Sequence, residues 1–289
     1  MPRLTDKDNI RALLSDDPVW SVYALGDLEQ GTFAKTRWFT PDVTLVLHDY
    51  GTSILFAIGT RSVREALDHV TWPVHLQVRE DALAEVARHA TITTTRLMWR
   101  MGWSGAAPRS RRGGKPRCAQ HAARRLGIDD GPALQQLYAD GETAGESPEF
   151  FFPSMVTNGV YFGVYEGRAL VAVAGTHLLS RVEGAAAIGN VYTRRDRRGR
   201  GLGRVVTSAV LDALAGVETI GLSVRADNAA ALHVYESLGF VRHCQFHEAM
   251  ATDWRNRRAC SPGLPPAPEE GKFGHRPIPA GRAARLTQP

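Results

Sequence analysis

Between residues 160 and 193 the chain runs through three apolar stretches, VYFGVYEG (160–167), ALVAVAGTHLL (169–179) and AAAIGNVYT (185–193), parted only by short glycine-containing turns. Strands joined so tightly pair antiparallel, because a parallel neighbour needs a crossover of a dozen or more residues. After Thr193 the connection changes character. An arginine- and glycine-rich loop leads into an apolar helical pattern near 203–215, a strand TIGLSVR (219–225), a helix NAAALHVYESLG (228–239) and a last strand FVRHCQFHEAMA. Upstream, LGIDDGPALQQLYADGE passes from strand-like residues into a helix. The predicted order is β-α-β-β-β-α-β-α-β, an α/β fold of the α+β kind with helices on the faces of a mixed sheet.

Much of this order occurs earlier as well, in VTLVLHD, TSILFAIG, SVREALDHV, VHLQVR, EDALAEVARHA and ITTTRLMWRMGW. There, only GTRS separates the strand from the helix, too little for a comparable glycine loop. The expectation is a second, degenerate copy of the fold over residues 1–103. Residues 104–118 read as a basic flexible linker, 119–254 as the body carrying the site, and 255–289, rich in proline and polar residues, as a disordered tail.

The net charge of +5 raises the question of a nucleic-acid partner, and its distribution argues against one. Residues 104–117, 194–204 and 255–289 each carry +5, which leaves the rest of the chain at −10. The folded bodies are acidic, so no extended basic face is expected for a phosphate backbone. No apolar run approaches the roughly 18 residues of a membrane span, and MPRLTDKDNIR mixes charge signs where a secretory leader needs an apolar core. A soluble, cytoplasmic protein is expected. The cysteines Cys118, Cys244 and Cys260 have no CxxC spacing, HExxH is absent, and His243 and His247 lie about 13 Å apart on a strand, so no metal site is expected.

The loop GNVYTRRDRRGRGLGR (189–204) then needs an explanation. It contains no GxxxxGK[ST] string, and a GxGxxG fingerprint starting at Gly199 fails at Arg204. It fits a diphosphate docked on a helix N-terminus: unpaired amides and the helix dipole meet the anion, and glycines let the main chain approach. Arg198, Arg200 and Arg204 are candidates for forked contacts to outer phosphates.

These residues resemble the GNAT acetyltransferase superfamily. Arg198-Gly199-Arg200-Gly201-Leu202-Gly203 is similar to its [RQ]xxGx[GA] acyl-CoA loop, and Asn190-Val191-Tyr192-Thr193 to the strand leading into it. Asn228, Tyr235 and Gly239-Phe240 are similar to the next family motif. The VYT-then-RGxG form resembles most the glycine N-acyltransferase-like branch, and the first body resembles the degenerate half of tandem members.

The resemblance implies acetyl-CoA as co-substrate and an amine as acceptor. The arm of acetyl-CoA would pair with the backbone of Val191 to Thr193, its pyrophosphate would meet the amides of 199–204, and Asn228 would contact the arm besides capping its own helix. By the same resemblance the Val191 amide stabilises the oxyanion and the Tyr235 hydroxyl protonates the thiolate. Family members often carry a carboxylate at the position of Ala187. Candidate substitutes are Glu142, Glu146, Glu149 and His177, and Phe150, Phe151, Phe152 and Tyr161 are candidate acceptor contacts. The competing functions are a non-catalytic acyl-CoA sensor and a nucleic-acid binder.

Overall fold

The computed structural model describes residues 4–49, 51–105, 122–148 and 150–253. Most of the expected linker, the whole expected tail, Cys118, Cys260 and Glu149 lie outside them. In chain order the first half contains α1 (Lys7–Ser15), α2 (Val22–Gly26), α3 (Gln30–Phe33), β1 (Thr36–Phe39), β2 (Thr44–Asp49), β3 (Thr52–Ala57), α4 (Val63–Leu67), β4 (Val74–Val78), α5 (Glu80–His89) and β5 (Ala90–Trp103). The second half contains β6 (Arg124–Arg125), α6 (Gly131–Glu142), α7 (Pro153–Asn158), β7 (Tyr161–Glu166), β8 (Ala169–Ser180), β9 (Ala185–Thr193), α8 (Leu202–Ala213), β10 (Thr219–Arg225), α9 (Ala229–Ser237) and β11 (Phe240–Asp253). The strands and helices expected from residue 43 onward recur with ends shifted by a few residues, and α7 is an addition that Pro153 opens at a first helical position.

All the strands join in one mixed sheet, ordered β1-β2-β3-β4-β11-β5-β10-β9-β8-β7-β6. The centre of that order is not what chain order suggests. β5 closes the first half in sequence, yet it pairs with β10 of the second; β11 closes the second half, yet it pairs with β4 of the first. The two strands have changed places and run antiparallel to each other from Phe240–Trp103 to Asp253–Ala90. The described residues consequently belong to one compact unit.

Side-chain pattern explains the layers. α8 turns Leu202, Val206, Val210 and Leu211 onto the sheet, where each is buried; about 1.5–3 kcal/mol per large apolar side chain favours that seat. On the opposite side α2 brings Val22, Ala24 and Leu25 into one cluster with Ala185 and Ala187 of β9. A helix from the first half therefore covers the central strands of the second.

Candidate active site

β9 and β10 run parallel and hydrogen-bonded from Ala185–Thr219 to Ile188–Leu222, and there their pairing ends. Beyond it each strand stays with its other neighbour: Tyr192 and Thr193 with Val173 and Ala172 of β8, Ser223 and Arg225 with Arg100 and Met98 of β5. A wedge opens between β9 and β10. The Arg194 N–H donates to Val171 O at 2.9 Å, toward β8. Alternation along the strand then turns the backbone groups of Thr193 and Val191 toward the wedge.

The wedge begins at a bulge. Asn190 and Val191 together stand against Ala174, and Asn190 has φ 53°, a left-handed conformation that costs about 1–2 kcal/mol in a non-glycine residue. Four hydrogen bonds hold it: Tyr138 O–H to Asn190 O at 3.0 Å, Asn190 Nδ2–H to Tyr161 Oη at 2.8 Å and to Met155 Sδ at 3.5 Å, and a 3.0 Å contact between His177 Nε2 and Asn190 Oδ1. At about 0.5–1.5 kcal/mol each they offset the strain.

Past Thr193 the chain makes a short 3-10 turn, Arg195–Arg197, and reaches α8 through Gly199 (φ 76°) and Gly201 (φ 77°). Gly201 is the N-cap and has no side chain to cap with. The first bond inside the helix runs from Val205 N–H to Gly201 O at 3.2 Å. The N–H groups of Leu202, Gly203 and Arg204 thus have no acceptor in the helix. Leu202 is 1% exposed and pins this end of the helix to the core. A Cβ on Gly199 would meet nothing within 4 Å, and one on Gly203 only Thr193 Oγ1 at 3.6 Å. Packing does not require a bare backbone at Gly203.

Most of the loop arginines have carboxylate partners within the protein. Arg194 and Arg197 hold Asp196 at 2.7 and 2.6 Å, Arg197 also reaches Glu166 at 2.7 Å, and Arg200 reaches Glu166 at 3.4 Å. Arg198 binds Glu146 at 2.6 Å, donates from Nε to Thr193 O at 3.2 Å and lies over the Tyr192 ring. Glu146, held down in pKa by Arg198, is therefore an ion-pair partner rather than a free base. Arg204 is exposed and has no such carboxylate partner among the described residues. Tyr192 turns its side chain away under α6, where its hydroxyl donates to Asp140 Oδ2 at 2.9 Å and burial pushes its pKa up to about 12. Only its main chain faces the site.

Tyr235 lies on α9, 7% exposed, with its ring edge-on to Phe240. Burial raises its pKa, so the phenol is neutral at pH 7. Asn228 is the N-cap of α9, its Oδ1 accepting from Ala231 N–H at 3.0 Å. The residues suggested as acceptor contacts divide: Phe151 packs on Tyr138 and Tyr161 in a closed cluster, while Phe150 meets His75 of the first half edge-on. Glu142 is exposed. His177 is the base candidate that the fold brings to the bulge. Tyr23 and Arg100 carry no motif and escape a sequence reading, and Asn190 is read only as part of the strand before the loop, not as a bulge; the one available signal for the bulge is Gly175 and Gly189, two strand glycines that face each other across β8 and β9.

No helix among the described residues is long and apolar enough to cross a membrane. Comparison with known proteins matches residues 132–240 to the acetyltransferase (GNAT) family. The chain is 47% identical over 117 residues to a ribosomal protein bS18-alanine N-acetyltransferase of Salmonella typhimurium, covering 40% of this chain and 77% of that protein. It is 42% identical over 83 residues to a mycothiol acetyltransferase of Tsukamurella paurometabola, covering 27% of each. The chain thus spans about a quarter of the length of that curated relative. A GCN5-related N-acetyltransferase from Kribbella flavida shares the fold at TM-score 0.52 and 18% identity, over 80% of this chain and 95% of its own. The family match covers the wedge, the bulge and the capless helix, the Salmonella relative is matched over most of its length, and the sheet is doubled: the chain belongs to the GNAT family, in a tandem two-domain form.

Proposed function

We propose that this protein is an acetyl-CoA-dependent N-acyltransferase that acetylates a primary amine of a small molecule or protein. The observation that carries the reading is the wedge, whose bulged edge presents the Val191 and Thr193 backbone beside the uncapped amides of α8. Acetyl-CoA would lie with its pantetheine arm along Val191, Tyr192 and Thr193, its pyrophosphate over Gly199, Arg200, Gly201, Leu202, Gly203 and Arg204, and Arg198 and Asn228 at its flanks. The amine attacks the thioester carbonyl, the Val191 amide stabilises the oxyanion, and Tyr235 protonates the departing thiolate.

The acceptor is a finer question. The strand-and-loop motif resembles the glycine N-acyltransferase-like branch, and one relative's name gives alanine as the residue acetylated on nitrogen. Both favour an amine next to a small carbon substituent. The test is CoA-thiol release with acetyl-CoA and a panel of primary amines, including alanine- and glycine-led peptides. Tyr235→Phe is expected to lower kcat about 100-fold or more with acetyl-CoA binding retained. A second reading, an acyl-CoA sensor, draws on Ala187, which is fully buried where relatives often carry a carboxylate. Tight binding without turnover, unchanged by Tyr235→Phe, would favour it.

A further inference from the structure

The half without a glycine loop reaches into the wedge of the other. Tyr23, on α2, brings its hydroxyl within 3.1 Å of His177 Nδ1. His177 is the extra residue of a bulge in β8: Thr176 pairs with Ile188 and Leu178 with Ala187, and His177 falls between. Its Nε2 meets Asn190 Oδ1, so the bulges of two neighbouring strands are joined by one hydrogen bond. Glycines make room for the rings: a Cβ on Gly189 would come within 2.4 Å of the His177 ring, and one on Gly175 within 2.3 Å of Tyr161.

The hydrogen-bond inventory fixes the protons. Asn190 Nδ2 donates to Tyr161 Oη and to Met155 Sδ, so Oδ1 faces His177 and needs an Nε2–H. A neutral imidazole has one N–H, which leaves Nδ1 as the acceptor for the Tyr23 hydroxyl. Burial, with Arg100 adding to it, keeps His177 below its ordinary pKa and neutral at pH 7. On the far lip of the wedge, Arg100 of β5 is opposite Ser223 of β10 and donates to its Oγ at 2.7 Å. The Arg100 guanidinium is fully buried, 4.7 Å from the Tyr23 ring centroid, and also lies over Trp20 and Phe246. Tyr23 therefore stands between the two lips, with His177 on one side and Arg100 on the other. The titratable groups coupled to this cluster are Tyr161 of β7, Tyr235 of α9, Arg100 of β5, and Cys244 and Glu248 of β11.

We propose that Tyr23 and His177 form the proton-accepting relay of the transferase, extended from one half of the chain into the site of the other. The proposal rests on the N-acyltransferase reading above. As the amine nitrogen bonds to the thioester carbon, its proton passes to Tyr23 Oη while the Tyr23 proton moves to His177 Nδ1. The resulting imidazolium keeps its Nε2–H on Asn190. Cleavage of C–S leaves the electron pair on sulfur, which takes a proton from Tyr235. After the amide leaves, Tyr23 Oη gives its proton to water entering the wedge and takes one back from His177 Nδ1, and Tyr235 is reprotonated from solvent. Amide and CoA thiol are the only net products. Tyr23 touches substrate, and His177 acts through it.

The test uses full-length protein, acetyl-CoA and the amine panel, with Tyr23→Phe and His177→Gln. Each is expected to lower kcat about 100-fold with little change in the KM for acetyl-CoA. The wild-type acid limb of kcat/KM, below about pH 6.5, should disappear in His177→Gln. Glutamine can keep both hydrogen bonds but takes no proton, so full activity in that variant would reduce His177 to a structural role and overturn the relay. Nitrogen-15 NMR of the unliganded protein reads the tautomer without turnover: Nε2–H supports the relay and Nδ1–H overturns it. A wild-type protein that acetylates no amine defeats the transferase reading and the relay with it. A wild-type protein that does so, with Tyr23→Phe equally fast, defeats the relay alone.

Discussion

The two halves contain the same strand-to-helix junction and treat it in opposite ways. In the second half, twelve-residue α8 starts at a glycine with no side chain, and its first amides face outward. In the first half, five-residue α4 follows a loop already filled by the chain itself. Asp42 accepts the Arg61 backbone N–H at 3.0 Å and its guanidinium Nε at 2.9 Å, and its carboxylate lies where a Cβ on Gly59 would go, 2.5 Å away. The strands differ in the same sense. β3 and β4 stay paired from Ser53–Val74 to Phe56–Gln77, nearly to the end of β3, whereas β9 runs on for five residues, Gly189 to Thr193, after its pairing with β10 stops. The second junction leaves its first helix amides unanswered, whereas in the first a single internal carboxylate and a continued ladder fill the same place.

The buried charges of the halves offer the largest effect to test. Around the glycine loop the carboxylates Glu146, Glu166 and Asp196 all have arginine partners. Asp27 in the first half is 8% exposed, and burial, with Asp49 nearby, lifts its pKa to about 7. A carboxyl raised in the folded state favours the fold only while protonated. Its contribution is intact below about pH 4 and is lost as pH rises through about 7. Asp27→Asn should therefore add on the order of 3 kcal/mol to stability at pH 8 and almost nothing at pH 4, as read by urea unfolding. Equal effects at both pH values would break the contrast.

At the junctions, Gly201→Glu places a side chain at φ 77° and a negative charge over the amides. Acetyl-CoA affinity should fall at least about 100-fold, and the roughly 2.7 kcal/mol of stabilisation from ligand at 100 times Kd should vanish in thermal melts. The smallest effect belongs to Asp42→Ala. Removing the internal carboxylate should cost about 1 kcal/mol, because its partner is exposed, and calorimetry should still give one acetyl-CoA per chain. Two per chain would show that the first junction is only plugged and not degenerate.

Much of this was legible in the residues. The β7-β8-β9 meander, α8, β10 and α9 follow from hydropathy period and turn spacing, and the loop's glycines show their conformational purpose through position alone. What escaped depends on residues far apart in the chain. Nothing local in ITTTRLMWRMGW or FVRHCQFHEAMA says which sheet each will complete, since either is a long strand able to pair on both edges. The arginines of the loop look free until Glu146 and Glu166 fold back onto them. Tyr23 belongs to a five-residue helix with no motif, and His177, a candidate base by its strand position, shows neither its bulge nor its link to Tyr23 in the sequence.

The exchange of β5 and β11 gives the repeated half a reason to exist that is independent of chemistry. A shortened gene encoding only the second copy would produce β10 with a raw edge and β11 with no bed to lie in, a template for intermolecular pairing. One copy could thus lose its ligand site through a few substitutions such as an aspartate in the loop, yet could not be discarded without unravelling its neighbour.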